Sequence, residues 1–211
     1  MVVAVSSDRG LCGGVNSSVV RAAKKLAGFT PANVDLILIG DKSTQGLLKE
    51  FGESYSLTVS DVSGNTATSY TEISQIADSI YRQEYERITF LHNTFISVLA
   101  FATRRRVFPS KETFKDKKRY ISYEFDDTRE EDLDDYYAFS LCSFLYSSIF
   151  EAHATELGAR MTSMDNATTN ASDVINKLSI KYNKQRQAVI TTELTEIVSG
   201  AAAIEAMESK D

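Results

Sequence analysis

Tryptophan is absent from this chain of 211 residues, and proline, cysteine and histidine occur only twice each. The two cysteines, Cys12 and Cys142, lie far apart and form neither a disulfide framework nor a CxxC metal pair. His92 and His153 have no second histidine at ligand spacing, so neither a metal site nor a catalytic dyad is supported. No apolar run reaches the roughly 18 residues that mark a membrane-spanning helix. An excess of basic charge is lacking too. Lys and Arg number 23 against 29 Asp and Glu, a formal charge of −6. That balance argues against nucleic acid, or an anionic membrane surface, as the main partner. What is present is ordinary for a folded protein, with 25% charged and 43% apolar residues. The length suits one domain, or one domain carrying an extended element.

The first half, to about residue 126, alternates strand and helix patterns. Val2-Val3-Ala4-Val5 is a short apolar run ending in a polar, glycine-rich turn over 6–14, after which Val15, Val19, Ala22, Ala23 and Leu26 recur at helical spacing. Leu36 to Ile39 reads as a buried strand closed by Gly40, with Asp41 as cap of a helix carrying Leu47, Leu48 and Phe51. Tyr55 to Val59 alternates as a strand, and Ser69 with Glu72 reads as a capping box before Ile73, Ile76, Ala77, Ile80 and Tyr81. Ile88 to Leu91 and Phe95 to Phe108 are β-rich, and Ile121, Tyr123 and Phe125 share one face of a last strand. Strands alternating with helices imply a sheet with parallel members, covered by helices.

The second half differs in kind. From Leu133 to Met207 there is no proline, and Gly158 and Gly200 are the only glycines. One uninterrupted helix of that length would run roughly 110 Å, more than a domain of this mass can bury. Leu157, Met161, Met164, Thr168, Ala171, Ile175, Leu178, Tyr182, Gln185 and Val189 alternate spacings of 4 and 3, a coiled-coil seam. Ile190, Leu194, Ile197, Ala201 and Ile204 keep that spacing one residue out of register, which turns the stripe toward a different partner. No second seam helix is visible in this chain.

Several clusters could carry chemistry. Asp8-Arg9-Gly10-x-x-Gly13-Gly14 lies between a strand and a helix, where nucleotide folds hold phosphate. It is not GxGxxG, it lacks the Walker lysine, and no acid ends the second strand, so it reads as a structural or partner-contacting loop. Cys12 reads as a small loop residue rather than a reactive thiol. Seven of the ten residues from Asp126 to Asp135 are acidic. They open the long helix and complement its macrodipole rather than binding metal. Arg104-Arg105-Arg106 reads as a solvated strand edge. Lys177, Lys181, Lys184 and Arg186 form a cationic patch with no acid between Asp173 and Glu193, suited to an acidic protein loop. Three Asn-x-Ser/Thr triplets, at Asn16, Asn166 and Asn170, follow no leader pattern and are expected to be unmodified.

Residues 6–14 (Ser-Ser-Asp-Arg-Gly-Leu-Cys-Gly-Gly), 159–167 (Ala-Arg-Met-Thr-Ser-Met-Asp-Asn-Ala) and 186–203 (Arg-Gln-Ala-Val-Ile-Thr-x-Glu-Leu-x-Glu-Ile-Val-Ser-Gly-Ala-Ala-Ala) strongly resemble the gamma subunit of F-type ATP synthase. The resemblance covers nearly the whole chain. It implies a Rossmann-like α/β foot domain over 1–126 and one very long C-terminal coiled-coil helix over 127–211. It implies a central rotor shaft that couples rotation of a proton-carrying membrane ring to catalytic sites on other subunits, with no catalytic residue, cofactor or metal of its own. Arg186, Gln187 and Thr191 match positions that form a catch on one catalytic subunit, with Glu193 on the same stretch. Arg9, Gly10, Leu11 and Cys12 match the loop that approaches the acidic loop at the base of a catalytic subunit. Tyr123 and Glu124 match positions at the rotor ring. Small residues near 199–203 match the upper tip.

The implied partners are the alpha/beta catalytic hexamer, small central-stalk subunits, the ring of c subunits, and the family's N-terminal gamma helix, which this sequence lacks. That absence accounts for the half coiled coil, and Leu157, Met161, Met164, Ile175, Leu178 and Tyr182 are expected to be covered only by a second helix. The redox insertion of chloroplast members is also missing, and Glu205 to Asp211 run past the usual end. The wording of the first two motifs is closer to mitochondrial members. The expected location is therefore the matrix side of the mitochondrial inner membrane, ahead of the cytoplasmic side of a bacterial one. The competing reading is a nucleotide-using α/β enzyme with the 6–14 loop as phosphate site and the helix as an oligomerisation arm.

Overall fold

The computed structural model describes residues 1–28, 34–51, 55–62, 68–116 and 130–208. In chain order the elements are β1 (Val2–Val5), α1 (Val15–Gly28), β2 (Leu36–Ile39), α2 (Asp41–Phe51), β3 (Tyr55–Val59), α3 (Tyr70–Tyr81), β4 (Arg87–Ser97), β5 (Ala100–Pro109), α4 (Lys111–Lys115) and α5 (Glu130–Glu208). Five strands form one sheet in the order β3-β2-β1-β4-β5. Helical crossovers make the β3-β2, β2-β1 and β1-β4 pairs parallel, while a tight hairpin makes β4 and β5 antiparallel.

β1 and β2 are unbroken apolar runs because both of their faces are covered. One face carries Val3, Val5, Ile37, Ile39 and Phe90 and packs against α3 and the start of α5. The other carries Val2, Ala4, Leu36, Leu38 and Leu91 and packs against Val19 and Ala23 of α1 and Leu47 of α2. The expected α/β sheet with parallel members is therefore what forms. The capping box is present: the Ser69 side chain accepts from the Thr71 amide at 3.3 Å, and Glu72 accepts from the Ser69 amide at 3.1 Å.

Two local expectations change. Asp41 is the first residue of α2 rather than its cap; Gly40 makes the turn at φ +96°, where a Cβ would stand 2.4 Å from the Ser6 carbonyl oxygen. The Ser6 hydroxyl supplies the cap instead, accepting from the Ser43 amide at 2.8 Å. Ile88–Leu91 and Phe95–Phe108 are β-rich as expected: β4 carries the first run and Phe95–Ser97, and the hairpin turns inside the second run, between Ser97 and Ala100. Arg104 and Arg105 do lie exposed on the edge strand β5, but Arg106 turns inward. Its guanidinium sits 5.8 Å from the Phe144 ring centroid and 3.4 Å from Glu151. The strand expected over Ile121, Tyr123 and Phe125, and the domain boundary expected at residue 126, lie outside the described residues.

The chain divides into two units, Met1–Ser163 and Met164–Asp211. The first unit therefore includes the opening stretch of α5. Tyr137, Leu141, Leu145, Ile149 and Ala152 recur at turns of that helix and are buried on the sheet. Polar ties flank this stripe. The Tyr137 hydroxyl donates to the Pro109 carbonyl at 2.9 Å, and Asp134 pairs with Lys111 at 3.1 Å and Lys115 at 2.7 Å. Glu151 accepts from the Thr94 hydroxyl at 2.8 Å and stands 3.3 Å from Nε2 of His92, whose side chain is fully buried. Gly158 also has a role here, since a Cβ there would meet the Phe95 ring at 2.8 Å.

Burial, reinforced by the neighbouring Arg106 and Arg104 charges and opposed by Glu151, holds the His92 pKa below its ordinary value. Burial pushes the Glu151 carboxyl up, but the Thr94 hydrogen bond and Arg106 outweigh it and leave its pKa lowered. A depressed histidine pKa means that the unfolded chain binds the proton first. Stability held above about pH 6.5 is therefore lost as pH falls toward the folded value. The Glu151 contribution is lost further down, below about pH 4.3. Denaturant unfolding of the wild type and of His92→Gln from pH 7.5 to 5 should show the wild type losing more stability below pH 6.5. Parallel profiles would remove His92 as the cause.

Candidate functional site: the contact loop and the exposed face of the long helix

The 6–14 loop is built by its own hydrogen bonds. The Ser7 amide donates to Oδ1 of Asn16 at 3.0 Å, and the Ser7 hydroxyl donates to the Arg9 carbonyl at 2.8 Å. Nδ2 of Asn16 reaches the Cys12 sulfur at 3.2 Å, and Oδ1 of Asp8 accepts from the Asp41 amide at 3.0 Å. Cys12 is buried at 2% exposure, so it fills the loop as a small residue should. Leu11 does the opposite. It adopts φ +63°, a left-handed conformation that costs a non-glycine residue roughly 1–2 kcal/mol, and its side chain is 73% exposed. Arg9 and Gly10 are also exposed. The loop thus presents Arg9, Gly10 and Leu11 outward on a base fixed to β1, α1 and α2.

The seam residues named above are exposed in this chain. In the first unit, Leu157 and Met161 are 51% and 68% exposed. In the second, Met164, Ile175, Leu178 and Tyr182 are exposed as well. The sequence reading missed how early the stripe begins. Tyr136, Phe139 and Phe150 are also exposed, and with Ser143 and Tyr146 they keep the alternation of 3 and 4 along α5. Tyr146 stacks on Phe150 at 6.0 Å between centroids and meets Tyr70 of α3 at 5.5 Å. From Tyr146 the spacing through Phe150, Ala154 and Leu157 is 4, 4, 3, a single stutter joining this aromatic segment to the seam. The polar Ser143 and the interleaved buried stripe hid that signal.

Arg186, Gln187, Thr191 and Glu193 lie exposed on α5. At about 100° per residue, Gln187 and Thr191 point away from the Ile175–Val189 seam, while Arg186 lies at its border. The Thr191 hydroxyl donates back to the Gln187 backbone carbonyl at 2.8 Å, while the Arg186 and Gln187 side chains are exposed. Tyr123 and Glu124 lie outside the described residues.

A family model described as ATP synthase matches residues 1–204. The chain belongs to the ATP synthase gamma family. The gamma chain of Paramagnetospirillum magneticum is 38% identical over 97% of this chain and 73% of its own length. The mitochondrial gamma subunit of Yarrowia lipolytica is 36% identical over 96% of this chain and 70% of its own. Among solved structures, the central stalk and c-ring of the Tetrahymena thermophila mitochondrial ATP synthase matches with TM-score 0.70 at 25% identity, over 79% of this chain and 75% of that one. A chain of the Euglena gracilis mitochondrial enzyme shares the fold, with TM-score 0.85 at 21% identity over 98% of this chain and 73% of that one. Gamma chains form the central stalk and rotor of F-type ATP synthase. The complex is the ATPase and this subunit is not itself catalytic, which sets aside the nucleotide-enzyme reading of the 6–14 loop.

A helix whose apolar stripe faces water is held weakly, because packing of that stripe supplies most helical stability. In the isolated chain, amides of 164–208 should exchange with solvent far faster than those of β1, β2 and β4. Hydrogen exchange read by mass spectrometry checks this; equal protection in both regions would contradict it.

Proposed function

We propose that this gamma chain serves as a foot, nominally 1–126, and a shaft, 127–211, coupling rotation of a c-subunit ring to the catalytic sites of an alpha/beta hexamer. Tyr123 and Glu124 are assigned to the ring, together with small central-stalk subunits at the foot. Arg9 to Cys12 are assigned to the base of a catalytic subunit. A second gamma helix covers Leu157, Met161, Met164, Ile175, Leu178 and Tyr182. The proposed location is the matrix side of the mitochondrial inner membrane; mitochondrial relatives such as that of Yarrowia lipolytica support the mitochondrial part of this reading.

The observation that carries the reading is the outward presentation of Arg186, Gln187 and Thr191 beside an exposed seam, within a stretch that matches gamma chains. A guanidinium there holds a carboxylate through charge-assisted hydrogen bonds, each worth about 1.5–3 kcal/mol. A bond made in only one rotor orientation favours that orientation, and such a bias is what a catch requires.

Replacing Arg186 and Gln187 together by alanine should lower steady-state turnover and coupled ATP synthesis at least about tenfold, roughly the low end of one such bond, with assembly intact. Lys177, lower on the stem, is the control, and its alanine variant should turn over normally. A double variant that assembles and runs at the wild-type rate would refute the catch and leave the shaft untouched.

A further inference from the structure

Arg160 ties the contact loop to the long helix. Its Nη2 lies 3.4 Å from the Gly10 carbonyl oxygen and also pairs with Glu156, one turn earlier on α5. The Glu156 side chain is only 3% exposed, and its second oxygen stands 3.6 Å from Nδ1 of His153. A carboxylate that deep needs a charged partner, because removing the partner leaves an uncompensated buried charge. Glu156 therefore fixes where the guanidinium sits. On the opposite flank, the Arg9 carbonyl accepts from the Ser7 hydroxyl at 2.8 Å and from Nδ2 of Asn16 at 3.4 Å. Two successive carbonyls are thus held from different elements, one by the β1–α1 corner and one by α5. The next residue is Leu11, left-handed at φ +63° and 73% exposed. A leucine stays in that region only where its surroundings over-determine it, and such residues cluster at working sites. All of these groups lie within the Met1–Ser163 unit.

We propose that Arg160 is a positioning residue for the contact loop. Paired with Glu156, it fixes Gly10 to α5, so that Leu11 is held outward as the loop's apolar contact on a catalytic subunit. Force on the loop then enters the shaft helix directly as well as through the sheet. The functional half of this rests on reading Arg9–Cys12 as the contact loop.

Thiol labelling separates the possibilities, because Cys12 is buried inside the loop and Cys142 is buried on α5, in the core under the sheet. The full chain is treated with a small thiol reagent and the two sites are read by mass spectrometry. Turnover is measured separately in the assembled complex. Arg160→Ala, and the milder Arg160→Lys, which keeps the charge for Glu156 but not the fork, should each raise Cys12 labelling about tenfold over wild type. Cys142 should stay at its wild-type rate, and turnover should fall. Leu11→Gly relieves the left-handed strain, so it should leave the melting temperature no lower while still reducing turnover. Cys12 labelling unchanged in both Arg160 variants, or rising only in step with Cys142, would overturn the tether. Raised Cys12 labelling with normal turnover in both the Arg160 and Leu11 variants would overturn the contact-loop reading instead.

Discussion

The stripe of Tyr137, Leu141, Leu145, Ile149 and Ala152 on α5 is the constraint on which the rest of the molecule depends. These side chains are all buried against the α3 side of the sheet. At about 1.5–3 kcal/mol for each large apolar side chain removed from water, the stripe is the chief apolar term holding the helix to the sheet. Its outward faces cannot do the same work. The aromatic stripe from Tyr136 to Phe150 and the seam beyond it face water in this chain. A rotor subunit has to transmit torque between its sheet unit and its helix, so a densely packed joint is what the function demands.

The polar groups at this joint are placed to specify it rather than to add much stability. Glu151 gathers Thr94, Arg106 and the buried His92 around one carboxylate, and Asp134 gathers Lys111 and Lys115 around another. Desolvation offsets much of the Coulomb gain in such partly buried pairs. Each pair nevertheless has only one register of α5, against β4 and β5 for Glu151 and against α4 for Asp134, in which its contacts are made. A one-residue slip of the helix would rotate Glu151 by about 100° away from Thr94. The contacts are therefore suited to locking the angle of the helix, the quantity a rotor must not lose.

Exposure in this protein has two distinct meanings. The seam is exposed along a heptad spacing, mostly of apolar coiled-coil types with Thr168 and Gln185 among them, and it carries no backbone strain. Leu11 is exposed at the cost of backbone strain, on a loop whose flanks are pinned. Under the proposed function the first is a surface for a second helix. The second is a small, rigid projection suited to a contact that is made and broken as partners move past.

Much of this was legible in the residues. Apolar runs at β1 and β2, the Ser69–Glu72 box and the proline-free second half determine the strands, the capped helix and the long helix through local rules of period and backbone chemistry. The seam from Leu157 to Val189 follows from its 4 and 3 spacing alone. What only the tertiary structure decided lies where partners distant in sequence meet. Strand alternation sets Arg105 on the other face, but no local pattern distinguishes Arg106, which turns in to Phe144 and Glu151, from Arg104 two residues earlier. The same holds for Gly158 beneath Phe95, and for Ser6 taking the capping role that Asp41 was expected to fill. Arg160 reaching back to Gly10 is the extreme case. Helical or strand period determines which way a side chain points along its own element, but not what stands opposite. That depends on which faces of the sheet the helices cover, and the sequence states it nowhere locally.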